Sequence, residues 1–149
     1  MSKIKSFRGS LTDGEEEQIY IAGGDKDTGY RIVKLELFPS KPGQETVENV
    51  VIVTKTSVTT STSAITVDFS DDNLLAAATF HESHSDARID TQVAVFDNEP
   101  FNQDIFISQT DTVGHTDVNY YLELEEFKMK DPEIAVVNYR AALLHGEWN

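Results

Sequence analysis

From Val118 to Phe127 the chain alternates between apolar and polar side chains. Val118, Tyr120, Leu122 and Leu124 fall on one face, and Asn119, Glu123 and Glu125 on the other. Period two is the side-chain period of a β-strand, and a slip of one residue would turn all four apolar side chains into water. Such a segment needs a second layer to cover one of its faces. Tyr30 to Phe38 repeats the pattern, with Val33, Leu35 and Leu37 predicted inward and Lys34 and Glu36 outward. Both segments read as half-buried strands.

Shorter strand candidates are Gln18–Ala22, Val47–Thr54, Ile65–Phe69, Leu74–His81, Thr91–Phe96 and Asp104–Ser108, rich in β-branched and aromatic residues. The Ala-rich Leu74 segment also fits a helix. Gly, Pro, Asp and Asn clusters separate the candidates, notably Gly23 to Gly29, Pro39 to Gly43, Ser70 to Asn73, Asp97 to Pro100 and Asp111 to His115. Thr54 to Thr66 is a Thr/Ser tract that fits either a solvent-facing hairpin or a loop. At the C-terminal end Asp131-Pro132-Glu133 is a helix start, and Ile134, Val137, Ala141 and Leu144 form a stripe at helical spacing, with Gly146 placed to stop it.

The expectation is an all-β fold, an antiparallel β-sandwich with about eight strands, jelly-roll-like, ending in a short C-terminal α-helix. Other sandwich topologies remain open, since strand order is not written in one sequence. At 149 residues a single domain is expected. It divides into an N-terminal arm or first strand over 1–16, a sandwich body over 17–130 and the helix over 131–145.

The chain carries 26 acidic and 12 basic residues, a formal net charge of −14, and no cysteine. Disulfides and thiolate ligands are excluded. No nucleic-acid partner is expected, because phosphate binding needs a basic face, and no anionic membrane surface either. No targeting segment precedes Arg8-Gly9-Ser10, so synthesis and release in the cytoplasm are expected.

Several constellations invite a chemical reading and are each covered by a plainer one. Asp25 to Gly29 imitates a calcium loop, but an alignment from Asp25 to Glu36 puts Tyr30 where the sharp turn needs Gly. Asp68, Asp71 and Asp72 lie about a strand end. His81, His84 and Asp86 are metal-ligand types within a short polar segment. His115 lies near Asp111 and Asp117, where turn polarity suffices. Glu123 and Glu125 share a strand face, as a carboxylate pair would. Tyr120, Tyr121, Phe101 and Phe106 suit a sugar-stacking platform or, more simply, a core. No nucleophile elbow and no phosphate-binding Gly motif occurs. The expectation is no catalytic residue, no cofactor and no metal.

Three segments together resemble a family of small, mostly uncharacterised marine bacteriophage proteins. They are Gly29-Tyr30-Arg31-Ile32-Val33-Lys34-Leu35, Val67 to Ala77, and Val95 to Ile107 continuing to Asn119-Tyr120-Tyr121-Leu122-Glu123-Leu124-Glu125. The resemblance covers roughly Gly29 to Lys130 and departs in the Thr/Ser tract and from Asn138 onward. It implies a virion structural component. The function expected is that of a capsid decoration or cement protein on the outer capsid surface, with the major capsid protein as partner and a homotrimer as assembly. The alternative is a tail, fibre-base or host-attachment module, possibly glycan-binding. Candidate subunit or shell contacts are Lys3, Lys5 and Arg8, three basic residues in an acid-free start, and Trp148, since Trp is enriched at binding hot spots.

Overall fold

The computed structural model describes residues 3–21, 27–58, 65–83 and 90–144. Among them are eight strands and one helix: β1 (Lys3–Leu11), β2 (Glu16–Ile19), β3 (Thr28–Pro39), β4 (Val47–Thr54), β5 (Leu74–Glu82), β6 (Asp90–Phe96), β7 (Ile105–Thr110), β8 (Val118–Lys128) and α1 (Asp131–Leu144). All named pairings are antiparallel. The strands form two sheets, of order β1-β8-β3 and β2-β7-β4-β5-β6.

This is a jelly-roll pattern with one substitution. Folding an eight-stranded hairpin over on itself pairs the first strand with the last, the second with the seventh, the third with the sixth and the fourth with the fifth. Three of those pairs are present here, β1–β8, β2–β7 and β4–β5, and the bridging pairs β8–β3 and β7–β4 complete the two sheets. The fourth is replaced: β6 stays hydrogen-bonded to β5 instead of crossing to β3. One sheet is therefore three strands wide and the other five.

The alternation read from the sequence places the core. Val118, Leu122 and Leu124 of β8 are fully buried, and Tyr120 nearly so, facing Ile105, Ile107, Val51 and Val53 of the other sheet. β3 departs from its expected phase. Ile32 pairs with Leu124 and Lys34 with Glu123, so Val33 is an extra residue in the ladder. The bulge turns Val33 outward, 38% exposed, and puts Ile32 in the core beside Leu35 and Leu37.

Ile65–Phe69 is not a strand. Asp68 accepts hydrogen bonds from the Ser70 N–H (2.9 Å) and hydroxyl (2.7 Å), and Asp71 from the Asn73 N–H (3.0 Å). These local bonds compete with a ladder and win, leaving Phe69 in solvent. The described parts of the Thr/Ser tract are instead tied to β2 and β7. Val58 N–H donates to Glu16 (2.7 Å) and Ile65 N–H to the Thr110 hydroxyl (3.1 Å). The outward-facing Ile52, Thr54, Ser108 and Thr110 are buried. Residues 59–64 of the tract lie outside the described residues. So do Asp25, His84, Asp86, Gly146 and Trp148.

Two strand ends move for a common reason. Asp104 takes the Ile21 N–H (2.9 Å) and the Gln18 amide (3.2 Å) on its carboxylate, closing β2 at Ile19 and starting β7 at Ile105.

The helix begins at Asp131, with Lys130 and not Asp131 as its N-cap, so Pro132 is the second helical residue. Glu133 reaches back to the Lys130 N–H (3.2 Å), half of a capping box, and Ile134 N–H makes the first helical bond to Lys130 O (3.0 Å). It packs on the loop before β7 rather than on a sheet. Val137 is buried, Ile134, Ala141 and Leu144 are half-buried, and Asn138 accepts from the Asn102 amide (2.9 Å). Glu99 of that loop binds two cations, Lys55 (2.7 Å) and Arg140 of the helix (2.6 Å), and Lys55 is only 4% exposed. Removing Glu99 strands a buried ammonium, so Glu99→Ala should lower stability by about 3 kcal/mol. Chemical denaturation with helix content followed separately is the check, and the helix should loosen first.

Candidate functional site

The most developed surface is the outer face of the three-stranded sheet. The register sets its cross-strand rows: Ser10–Asn119–Phe38, Arg8–Tyr121–Glu36, Ser6–Glu123–Lys34 and Ile4–Glu125–Arg31. Phe38 is 63% exposed and Ile4 56%. Arg8, Glu36, Phe38, Asn119 and Tyr121 line a shallow groove of about 610 Å³. Phe38 and Tyr121 are diagonal neighbours across the β3–β8 ladder, within reach of aromatic side chains. The Gly9 backbone lies on the groove floor, and on the opposite, inner face of the sheet a Cβ there would strike the ring of Tyr120.

The charges on this face are mostly paired. Tyr121 donates to Glu123 (2.6 Å), which holds the phenol above its ordinary pKa, and Lys34 lies 5.7 Å over the Tyr121 ring. Arg31 pairs with Glu125 and stacks on Phe127 at 4.7 Å. Arg8 is exposed and makes no ion pair among the described residues, whereas the exposed Lys34 pairs with Glu36 at 3.5 Å. An unpaired guanidinium, two aromatic faces, a carboxylate and an amide can stack on a ligand and fork hydrogen bonds to it.

Of the two readings of the N-terminal segment, arm or first strand, the structure has the strand: Lys3, Lys5 and Arg8 lie on edge strand β1. Lys5 pairs with Glu126 (3.2 Å) over the Tyr30 ring (5.4 Å). Hydrogen bonds from Tyr30 and Lys5 hold the Glu126 carboxyl below its usual range. Lys5 is therefore bound within its own body, whereas Lys3 and Arg8 are exposed. Trp148 is outside the described residues.

The four aromatics read as a possible platform do not assemble. Phe101 stacks on Tyr30 in the core at 6.3 Å between ring centres. Tyr120 is buried with its hydroxyl on Glu17 (2.9 Å), and both burial and that acceptor hold it well above its ordinary pKa. Phe106 points outward from the other sheet. Tyr120 and Tyr121 both line the groove, but only Tyr121 lies in an outer-face row, diagonal to Phe38. Phe38 was legible as an apolar residue in the polar phase of β3, after Lys34 and Glu36.

The acidic and histidine clusters are engaged or dispersed. Asp68 and Asp71 serve turns, Glu123 and Glu125 are paired as above, and His81 stands exposed on β5. Among the described residues no three His, Asp or Glu side chains gather as a metal site would require.

Asp111 organises the loop before β8. It is fully buried, and its two oxygens accept from the N–H groups of Glu48, Val113, Gly114 and Thr116 and from the Thr116 hydroxyl (2.6 Å). Burial alone would raise its pKa, but the Thr116 and Gly114 bonds outweigh it and hold the carboxyl below its usual value. Asp13 takes the Asp111 N–H (2.8 Å) and the His115 ring (2.8 Å). The His115 backbone is left-handed, at φ 52°, and a Cβ on Gly114 would strike the Thr46 carbonyl. Asp117 is exposed. This cluster is a structural loop hub.

No protein-family model matches the chain, and no curated protein matches it.

Proposed function

We propose that the chain is a bacteriophage virion structural protein, a capsid decoration protein that binds the outside of an assembled shell. The observation that carries the reading is the outer face of the three-stranded sheet. There Ile4, Arg8 and Phe38 stand exposed on an open face of a chain with net charge −14. The sequence resemblance and a fold shared with viral capsid domains support it. The partner is the major capsid protein, contacted across subunit junctions, and the action is mechanical. A protein that binds the assembled lattice and not its free parts stabilises the lattice by mass action, about 2.7 kcal/mol per site at a hundred times Kd. The charge selects the outer surface, because packaged phosphate would repel it inside, while in seawater the Debye length falls to about 4 Å and self-repulsion is weak. No catalysis is assigned: Asp111 is occupied by hydrogen-bond donors and His115 by Asp13.

A second reading, a host-attachment module that binds glycan, is favoured by the groove, where Tyr121 and Phe38 lie between Arg8, Glu36 and Asn119. Co-sedimentation with empty shells separates the two. Phe38→Ala and Arg8→Ala should each weaken shell binding about tenfold and leave the melting temperature unchanged. Wild-type protein that ignores shells but is retained on an oligosaccharide array, with retention lost in Tyr121→Ala, would replace the first reading with the second.

A further inference from the structure

Two sheets present four edges, and three of them are guarded. Edge strand β1 carries Lys3, Lys5 and Arg8, β2 is four residues long, and β3 is broken by the Val33 bulge and closed by Pro39. Charge, brevity, bulges and proline are the devices that stop a sheet edge from pairing with another chain. β6 has none of them. It is seven residues long, Asp90-Thr-Gln-Val-Ala-Val-Phe96, with one charge at its start, no proline and no register shift against β5. Because β6 remains beside β5, it overhangs the narrower sheet. All of its residues are exposed or half-exposed, with Val93 at 49% and Val95 at 46%. Toward β3 it is tied by the Gln92 side chain, which donates to the Leu37 carbonyl at 3.0 Å.

We infer that β6 is a self-association edge, and that its occupant is β6 of a second copy of this chain, antiparallel across a two-fold axis. The strand is self-complementary in that arrangement. With the axis at Val93, Val93 opposes Val93, Gln92 opposes Ala94, Thr91 opposes Val95 and Asp90 opposes Phe96. The β-branched pairs share the outer face, which is the favourable cross-strand combination. The two Asp90 carboxylates sit at opposite ends, about 20 Å apart at 3.4 Å per residue and beyond a Debye length of about 8 Å. Two copies that each carry −14 can approach through such a nearly neutral strip. Two five-stranded sheets then join into one. The assembly is two-fold, not the three-fold one expected from the sequence. The inference goes beyond the decoration reading and does not need it.

Sedimentation equilibrium of the full chain at micromolar concentration tests it. The expected mass is about 33 kDa, twice the 16.6 kDa chain. Raising salt should strengthen association, because what salt screens here is repulsion. Val93→Lys puts two cations face to face at the axis and should sediment as a monomer with an unchanged melting temperature. Val93→Thr keeps the β-branch and should stay dimeric. Amide exchange of residues 90–96 in the wild type should slow as concentration rises, a readout that needs no variant. A wild-type monomer or trimer, a dimeric Val93→Lys, or exchange that ignores concentration overturns the inference. Shell co-sedimentation is read separately. A monomer that binds shells overturns only this inference, and a dimer that ignores them overturns only the decoration reading.

Discussion

Asp111→Ala is expected to lower the unfolding free energy by about 3–5 kcal/mol at neutral pH, a large fraction of the roughly 5–15 kcal/mol that holds a single domain folded. The carboxylate is fully buried and accepts from four N–H groups and one hydroxyl. Deleting it leaves the Thr116 N–H and hydroxyl buried without an acceptor, each at a cost of about 1–3 kcal/mol before relaxation, and removes the acceptor of the part-buried Glu48, Val113 and Gly114 N–H groups as well. The same residue sets an acid limit. Its folded pKa lies below the ordinary value, so its contribution is fully present above the unfolded value of about 3.9 and disappears as pH falls through the folded one. Melting curves at neutral pH and at pH values below 4 should show the gap between wild type and Asp111→Asn narrowing under acid. A constant gap would mean that the charge of Asp111 contributes nothing.

Leu122→Ala should cost about 2–5 kcal/mol. Leu122 is fully buried on β8, the central strand of its sheet, paired with Phe7 on one side and Leu35 on the other. Strands on both sides limit how far the site can collapse, so most of the cavity should persist. Urea denaturation with an unchanged slope is the check. Ile4→Ala on the outer face of the same sheet should change stability by less than about 0.5 kcal/mol.

How far the sequence revealed this molecule depends on whether each signal was local. β8 and most of β3 were legible because one face is buried and the other wet along their whole length. The phase error at Val33 was not, since a bulge is set by the partner strand and both Ile32 and Val33 are good core residues. β1 was legible only as one of two alternatives, arm or first strand, for a different reason. Its inward positions include Lys3, Lys5 and Gly9, because an edge strand buries little at its open end and Tyr120 occupies the space above Gly9. Ile65–Phe69 had strand composition, but Asp68 carried the turn. The groove is half legible: Tyr121 stands out as an aromatic in the sequence, but only the strand register places Phe38 diagonal to it. Asp111 could be read as turn polarity, while its burial and its partner Glu48, distant in sequence, could not.

The central place of β8 has a consequence for how the chain acquires its structure. β4, β5 and β6 follow one another and pair as neighbours, so that meander can form while synthesis continues. β1 and β3 both hydrogen-bond to β8 and not to each other. The three-stranded sheet therefore cannot form until β8 has been made, and two early strands spend most of translation without their hydrogen-bonding partner. Pairings of such sequence separation fold slowly, because loop closure precedes any stabilising contact. Lys3, Lys5 and Arg8 on β1 and Lys34 and Glu36 on β3 then act during that wait, as charges that keep the unpaired strands from joining neighbouring nascent chains.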